Sequence, residues 1–110
     1  MKKIIFVVEI EKIFDQEMYG KYIKQVGKIV RLYNGKYIAR SNKIHSFIGE
    51  KPERCIIIGF DSKKNADRCF LSEEYSKIKH LRENSTRSKA FFVENDGDDR
   101  FNHKSCLENG

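Results

Sequence analysis

The chain has no tryptophan and a single proline, Pro52. No apolar run approaches the roughly 20 residues that a membrane-spanning helix needs. Its start, MKKIIFVVEI, sets a basic end before a short apolar run, as a secretory leader would. It has no small-residue cleavage site and Glu9 interrupts it, so it reads as a strand of a cytoplasmic protein. The three cysteines, Cys55, Cys69 and Cys106, are odd in number and lack Cys-x-x-Cys spacing, which leaves reduced, buried thiols as the plain reading. No glycine-rich phosphate loop and no Ser-His-Asp or Cys-His constellation can be found. His45 and His80 stand 80 − 45 = 35 positions apart with no partner at ligand spacing, so neither a metal nor a cofactor is expected.

A length of 110 residues supports one core and one domain. The net charge of +6 is uneven: from Asn95 onward there are four acidic and two basic residues, so residues 1–94 carry 20 − 12 = +8. A basic body suits nucleic acid, an anionic small molecule or a solvated lysine surface, and the lysines are scattered in ones and twos rather than gathered in an arm. Residues 95–110, NDGDDRFNHKSCLENG, have almost no apolar content and read as a disordered tail after a single domain spanning 1–94. Asp96-Gly97-Asp98-Asp99 lacks the alternating ligands and closing glutamate of a calcium loop.

The organising stretch is PERCIIIGFDS, Pro52 to Ser62. Cys55 to Ile58 and Phe60 are apolar in both parities, as in a strand buried on both faces. Lys3 to Ile10 has the same character and forms a first strand. Asp15 is placed to cap a following helix, with Phe14 positioned to staple onto Tyr19. Met18, Tyr19, Tyr22, Ile23, Val26, Ile29, Val30 and Tyr33 recur at three- and four-residue steps, one broad apolar stripe. Asn34-Gly35 ends that helix, Gly35 being suited to a left-handed turn. Lys36 to Arg40 is a second strand, which Ile44 to Ile48 can continue after a bend. Ser62 starts a second helix with Ala66, Cys69 and Phe70 inward, and Ser72-Glu73-Glu74 starts another carrying Tyr75, Ile78 and Leu81. Asn84 to Lys89 reads as a turn and Ala90 to Glu94 as the last strand.

The order β-α-β-β-α-β is the α+β, ferredoxin-like arrangement. Its helices cover one face of the sheet, yet the first, third and fourth strands are apolar on both. A second copy of the chain, sheet against sheet in a barrel, is the simplest cover for the open face.

The segments NGKYIAR (Asn34 to Arg40), PERCIIIGFDS, LSEEY (Leu71 to Tyr75) and Leu81-Arg82 together resemble the domain-of-unknown-function family 1330, of the dimeric α/β-barrel superfamily. The resemblance spans roughly residues 3 to 94 and implies a ferredoxin-like protomer paired into a barrel. It implies no reaction; by superfamily analogy alone, an enzyme here would be a cofactor-independent monooxygenase or isomerase. The chain departs from the family pattern at Gly59, where an acid is usual, and at Glu73, where a proline is usual. The family's acidic-glycine-acidic-tryptophan segment is here FIGEK, in which Glu50 alone survives.

Arg40, Arg54 and Arg82 match arginines of the family pattern. With Ser72 and Tyr75 they can line a pocket for a carboxylate or phosphate, or else pair with Glu50, Glu53 and Glu74. Tyr37 is a further candidate, placed by strand alternation on the face opposite Arg40, and His45 a candidate general base that no neighbour in sequence orients. Tyr19, Tyr22 and Tyr33 read as core packing with hydroxyls at the rim. The expected function is binding of a small, anionic ligand in a cleft between helices and sheet of a homodimer. The alternatives are a basic nucleic-acid module, which lacks the aromatic RNA-binding signature, and a structural dimer with a filled cleft.

Overall fold

The computed structural model describes residues 3–95, in the order β1 (Lys3–Ile13), α1 (Gln16–Leu32), β2 (Lys36–Ser41), β3 (Arg54–Phe60), α2 (Lys63–Phe70), α3 (Glu73–Ser76), α4 (Lys79–Glu83) and β4 (Thr86–Asn95). The strands form one antiparallel sheet, β2-β3-β1-β4. This is the ferredoxin-like order, and the α+β expectation holds. The readings placed beyond Asn95, the tail with Cys106 and the aspartate cluster, lie outside the described residues.

Register assigns each parity to a face. Ile4, Phe6, Val8 and Ile10 of β1 lie opposite Phe60, Ile58, Ile56 and Arg54 of β3, and this row faces the helices. Tyr19, Tyr22, Val26, Ile29 and Val30 of α1 complete the core with Ala66, Cys69, Tyr75 and Ile78. Ile5, Val7 and Ile57 take the other face, where they are half-buried and Ile38, Phe91 and Val93 stand 59%, 44% and 43% exposed.

Local expectations hold at the helix starts. Asp15 accepts from Met18 N at 3.0 Å, Ser62 from Asn65 N at 3.1 Å and Ser72 from Tyr75 N at 3.0 Å, each a side-chain cap on orphan amides. The Phe14 ring, 61% exposed, does not staple α1; the entry is fixed instead by Phe14 N donating to Ser85 O at 2.7 Å. Asn34, at φ 66°, takes the left-handed position that was expected of Gly35. Gly35 is needed for space: a Cβ there would come within 2.6 Å of Val30 Cγ1 and 2.7 Å of Phe60 Cε1.

Three segments differ from expectation. β1 runs on to Ile13 and β4 begins at Thr86, because Thr86, Arg87 and Ser88 pair with Ile13, Lys12 and Ile10 past a bulge. Pairing overrides the polar character that suggests a turn. Ile44 to Ile48 adds no strand, since β2 and β3 part at Ser41 and Cys55 and leave it no partner. That connection is tied by Lys43 N to Ser41 Oγ and Lys51 Nζ to Ile44 O, both 2.9 Å, with Phe47 and Ile48 outward.

Candidate functional site

Between α1 and the sheet lies a cavity of about 330 Å³. Its floor follows the helix-facing rows of the sheet, which grade from polar to aromatic. Arg54, Ile10 and Ser88 form one cross-strand row; Arg40, Ile56, Val8 and Ala90 the next; Tyr37, Ile58, Phe6 and Phe92 the third. Beyond them Phe6 packs on Phe70 at 4.5 Å and on Phe92 at 4.8 Å, closing the inner end with rings. α1 roofs the cavity with Tyr19, Tyr22, Ile23 and Val26.

The placement of Arg40 corrects the alternation argument. β2 pairs Tyr37 with Ile58 and then Ala39 with Ile57, so Ile38 is an inserted residue. The bulge returns Tyr37 and Arg40 to the same face, where the guanidinium carbon lies 4.3 Å over the Tyr37 ring, a cation–π contact.

Arg82 reaches in from α4. Its Nε donates to Tyr75 Oη at 3.2 Å and Nη1 to Ser88 Oγ at 3.4 Å, while Tyr75 and Tyr22 share a buried hydroxyl contact of 2.9 Å. Arg54 Nη1 donates to Asn42 Oδ1 at 2.9 Å, but its Nε is buried with no partner. Among the described residues, no ion pair joins these arginines to Glu50, Glu53 or Glu74. Glu53 instead accepts from Ile13 N at 3.0 Å and meets Lys12 at 3.7 Å, and Glu74 accepts from Tyr33 Oη at 3.1 Å. Lys79 adds charge at the mouth and Glu83 is the one acid lining it among the described residues. Lys89, also at the wall, turns to Glu9 at 3.8 Å on the opposite face.

Burial raises the Tyr22 phenol, with Tyr75 adding to it, and raises Tyr19 and Tyr37 against the opposing charges of Arg54 and Arg40. For Arg82, burial acts downward, but Tyr75 and Tyr22 outweigh it and the guanidinium is held above its ordinary range. At neutral pH the cavity therefore presents neutral phenols beside permanent cations.

Five of the seven sequence candidates, Tyr37, Arg40, Arg54, Tyr75 and Arg82, line this cavity. Ser72 does not. It caps α3 and donates to Cys69 O at 2.7 Å, so it holds the turn that carries Tyr75. His45 stands exposed in the β2–β3 connection, away from the cavity lining. Sequence reasoning left Tyr19 and Tyr22 in the core; two phenols one turn apart on a largely aliphatic stripe were the available signal. Ser88 was missed because its strand read as a turn. Gly59, where the resemblance led to expecting an acid, pairs with Ile5 and Lys36 on the open face, and a Cβ there would meet Ile38 Cδ1 at 3.3 Å. That departure leaves the cavity untouched. Among the described residues no group of three His, Cys, Asp or Glu side chains could hold a metal ion, and no helix is long and apolar enough to cross a membrane.

A model of the family described as domain of unknown function (DUF1330) matches residues 4–96. Among solved structures, a protein of unknown function from Rhodopseudomonas palustris, RPA0582, superposes with a TM-score of 0.72 at 14% identity, over 86% of this chain and 82% of that one. SnoaB, a cofactor-independent oxygenase from Streptomyces nogalater, gives 0.65 at 6% identity, over 87% and 95%. A dimeric ferredoxin-like protein of unknown function from Thermobifida fusca gives 0.53 at 8% identity, over 86% and 92%. At these identities the likeness establishes the shared fold. No curated protein matches the chain.

Proposed function

For a chain that belongs to the DUF1330 family, a family described by no activity, we propose that the cavity binds a small amphipathic organic anion, within a homodimer closed through the open sheet face. The observation that carries this is the mouth itself. Three guanidiniums and Lys79 converge there, Glu83 being the one acid in the lining among the described residues, and one guanidinium keeps a buried nitrogen without an acceptor. Buried donors are normally satisfied, and unpaired cations at the end of an apolar cleft favour an anionic guest whose body enters the aromatic end. An open cavity also speaks against a purely structural dimer with a filled cleft. The homodimer is supported by the exposed Ile38, Phe91 and Val93 and by the dimeric description of a structural neighbour.

Calorimetric titration with benzoate, 2-naphthoate and inorganic phosphate tests the site. The carboxylates bind wild type and lose about tenfold or more in affinity in Arg54→Met, as loss of a charged hydrogen bond implies. Equal affinity in that variant, or no binding of any of the three, refutes the reading. Light scattering tests the assembly: a mass near twice the 13.0 kDa chain is expected, falling toward one chain in Phe91→Asp.

A further inference from the structure

The buried tyrosine pair fixes a second requirement on the guest, one that rests on the cavity being its site. Tyr22 and Tyr75 are 8% and 6% exposed, line the cavity and bring their hydroxyl oxygens to 2.9 Å. Together they own two hydroxyl hydrogens, and their mutual contact uses one. Arg82 Nε also meets the Tyr75 oxygen, at 3.2 Å, and a guanidinium can only donate. If Tyr75 donates to Tyr22, the Tyr22 hydrogen is left over. If Tyr22 donates to Tyr75, the Tyr75 oxygen accepts from both neighbours and its own hydrogen is left over. In both cases one donor hydrogen remains, and among the described residues no acceptor meets either hydroxyl besides the other.

We propose that this leftover hydroxyl hydrogen binds a neutral acceptor oxygen of the guest, so that the ligand class is a cyclic or aromatic acid with a keto or ether oxygen on its body. The carboxylate sits at the Arg40–Arg54 mouth and the second oxygen reaches the tyrosine pair. The guest's charge is already taken by the guanidiniums at the mouth, so the second acceptor is an uncharged oxygen, and burial keeps the Tyr22 phenol protonated as a donor to it. The tilted Phe6, Phe70 and Phe92 rings that close the inner end give a flat body an aromatic wall to lie against. Removing one hydroxyl does not abolish the donor, since the remaining tyrosine then has its own hydrogen free. Only removal of both does.

The experiment uses two probe pairs on the full chain: 3- and 4-acetylbenzoate, each against the isopropylbenzoate of the same shape that lacks the ketone. The affinity ratio of at least one acetyl probe to its isostere is expected to stay near its wild-type value in Tyr22→Phe and in Tyr75→Phe. In the Tyr22→Phe/Tyr75→Phe double variant it falls about three- to tenfold, the worth of a neutral hydrogen bond. Unchanged affinity for isopropylbenzoate in the double variant shows that the cavity is intact. Ratios that the double variant leaves unchanged overturn the inference, as does complete loss in either single variant. If Arg54→Met weakens both probes while the ratios stay fixed in the double variant, the second oxygen alone is refuted. If Arg54→Met weakens neither, the anion site falls with it.

Discussion

Arg54→Met is expected to stabilise the unliganded protein while weakening the proposed anion site. The Arg54 Nε is buried without a partner, which costs about 1–3 kcal/mol for a polar group removed from water. Methionine keeps the unbranched stem against Ile10 and discards the orphan. It also discards the 2.9 Å bond from Nη1 to Asn42, an exposed contact, and the guanidinium's contact with the Tyr19 hydroxyl, losses of about 1 kcal/mol together. The balance is a gain of about 0–2 kcal/mol, to which relief of repulsion from Arg40, Arg82 and Lys79 adds at low salt. For a domain of this size, 1 kcal/mol moves Tm by about 4–8 °C, so a central expectation is a rise of that order. The assay is thermal melting followed by circular dichroism, at low and at high salt. Wild type should gain more Tm from added salt than the variant, because screening substitutes for the missing counter-charge. A variant melting 4 °C or more below wild type would refute the reasoning: Arg54 would then be a satisfied structural residue, not a binding group held ready at the expense of stability.

Two glycines separate space from propensity. Gly35→Ala should cost about 1–3 kcal/mol, since its methyl must displace Val30 and Phe60, both essentially unexposed, whereas Gly20→Ala, with nothing within 4 Å, should gain about 0.5–1 kcal/mol as a helix-interior replacement; urea melts that rank the two the other way refute the packing account. Alkaline pH should unfold the protein early. Burial pushes the Cys69 thiol up to about 12, with Glu74 adding to it, and raises Tyr22, Tyr19 and Tyr37. Groups whose folded pKa is raised bind more protons folded than unfolded, so their stability is present below the unfolded values of about 9–10 and is lost as pH climbs through them, at up to about 1.4 kcal/mol per pH unit per group. Urea midpoints that stay level from pH 8 to pH 11 would contradict those burials.

Much of this was legible in the residues. The two-sided apolar runs of β1 and β3 marked a sheet apolar on both faces, and the stripe from Met18 to Tyr33 supplied the cover for one. The capping side chains Asp15, Ser62 and Ser72 marked their helix starts. Periodicity could not reveal the polar strand residues Thr86 to Lys89, whose pairing with β1 is a long-range choice. Neither could it distinguish a hydroxyl at the rim from one turned into a cavity, since Tyr22 satisfies the helical period equally well in both roles.

The candidate site depends on a feature that no period contains. Strict alternation along β2 puts Tyr37 and Arg40, three residues apart, on opposite faces. In that geometry Arg40 would join the open apolar face among Ile5, Val7 and Ile57, an unpaired charge on an apolar surface. The single inserted residue at Ile38 shifts the register between Tyr37 and Ala39 and reverses both outcomes. Ile38 turns to the open face beside Gly59, whose lack of a side chain leaves it room, and Arg40 turns to the cavity over Tyr37. One backbone irregularity thus sends an aliphatic side chain to the open sheet face and a guanidinium to the cavity. The exposed aliphatic on the sheet face and the arginine in the cavity lining are set together by the same inserted residue.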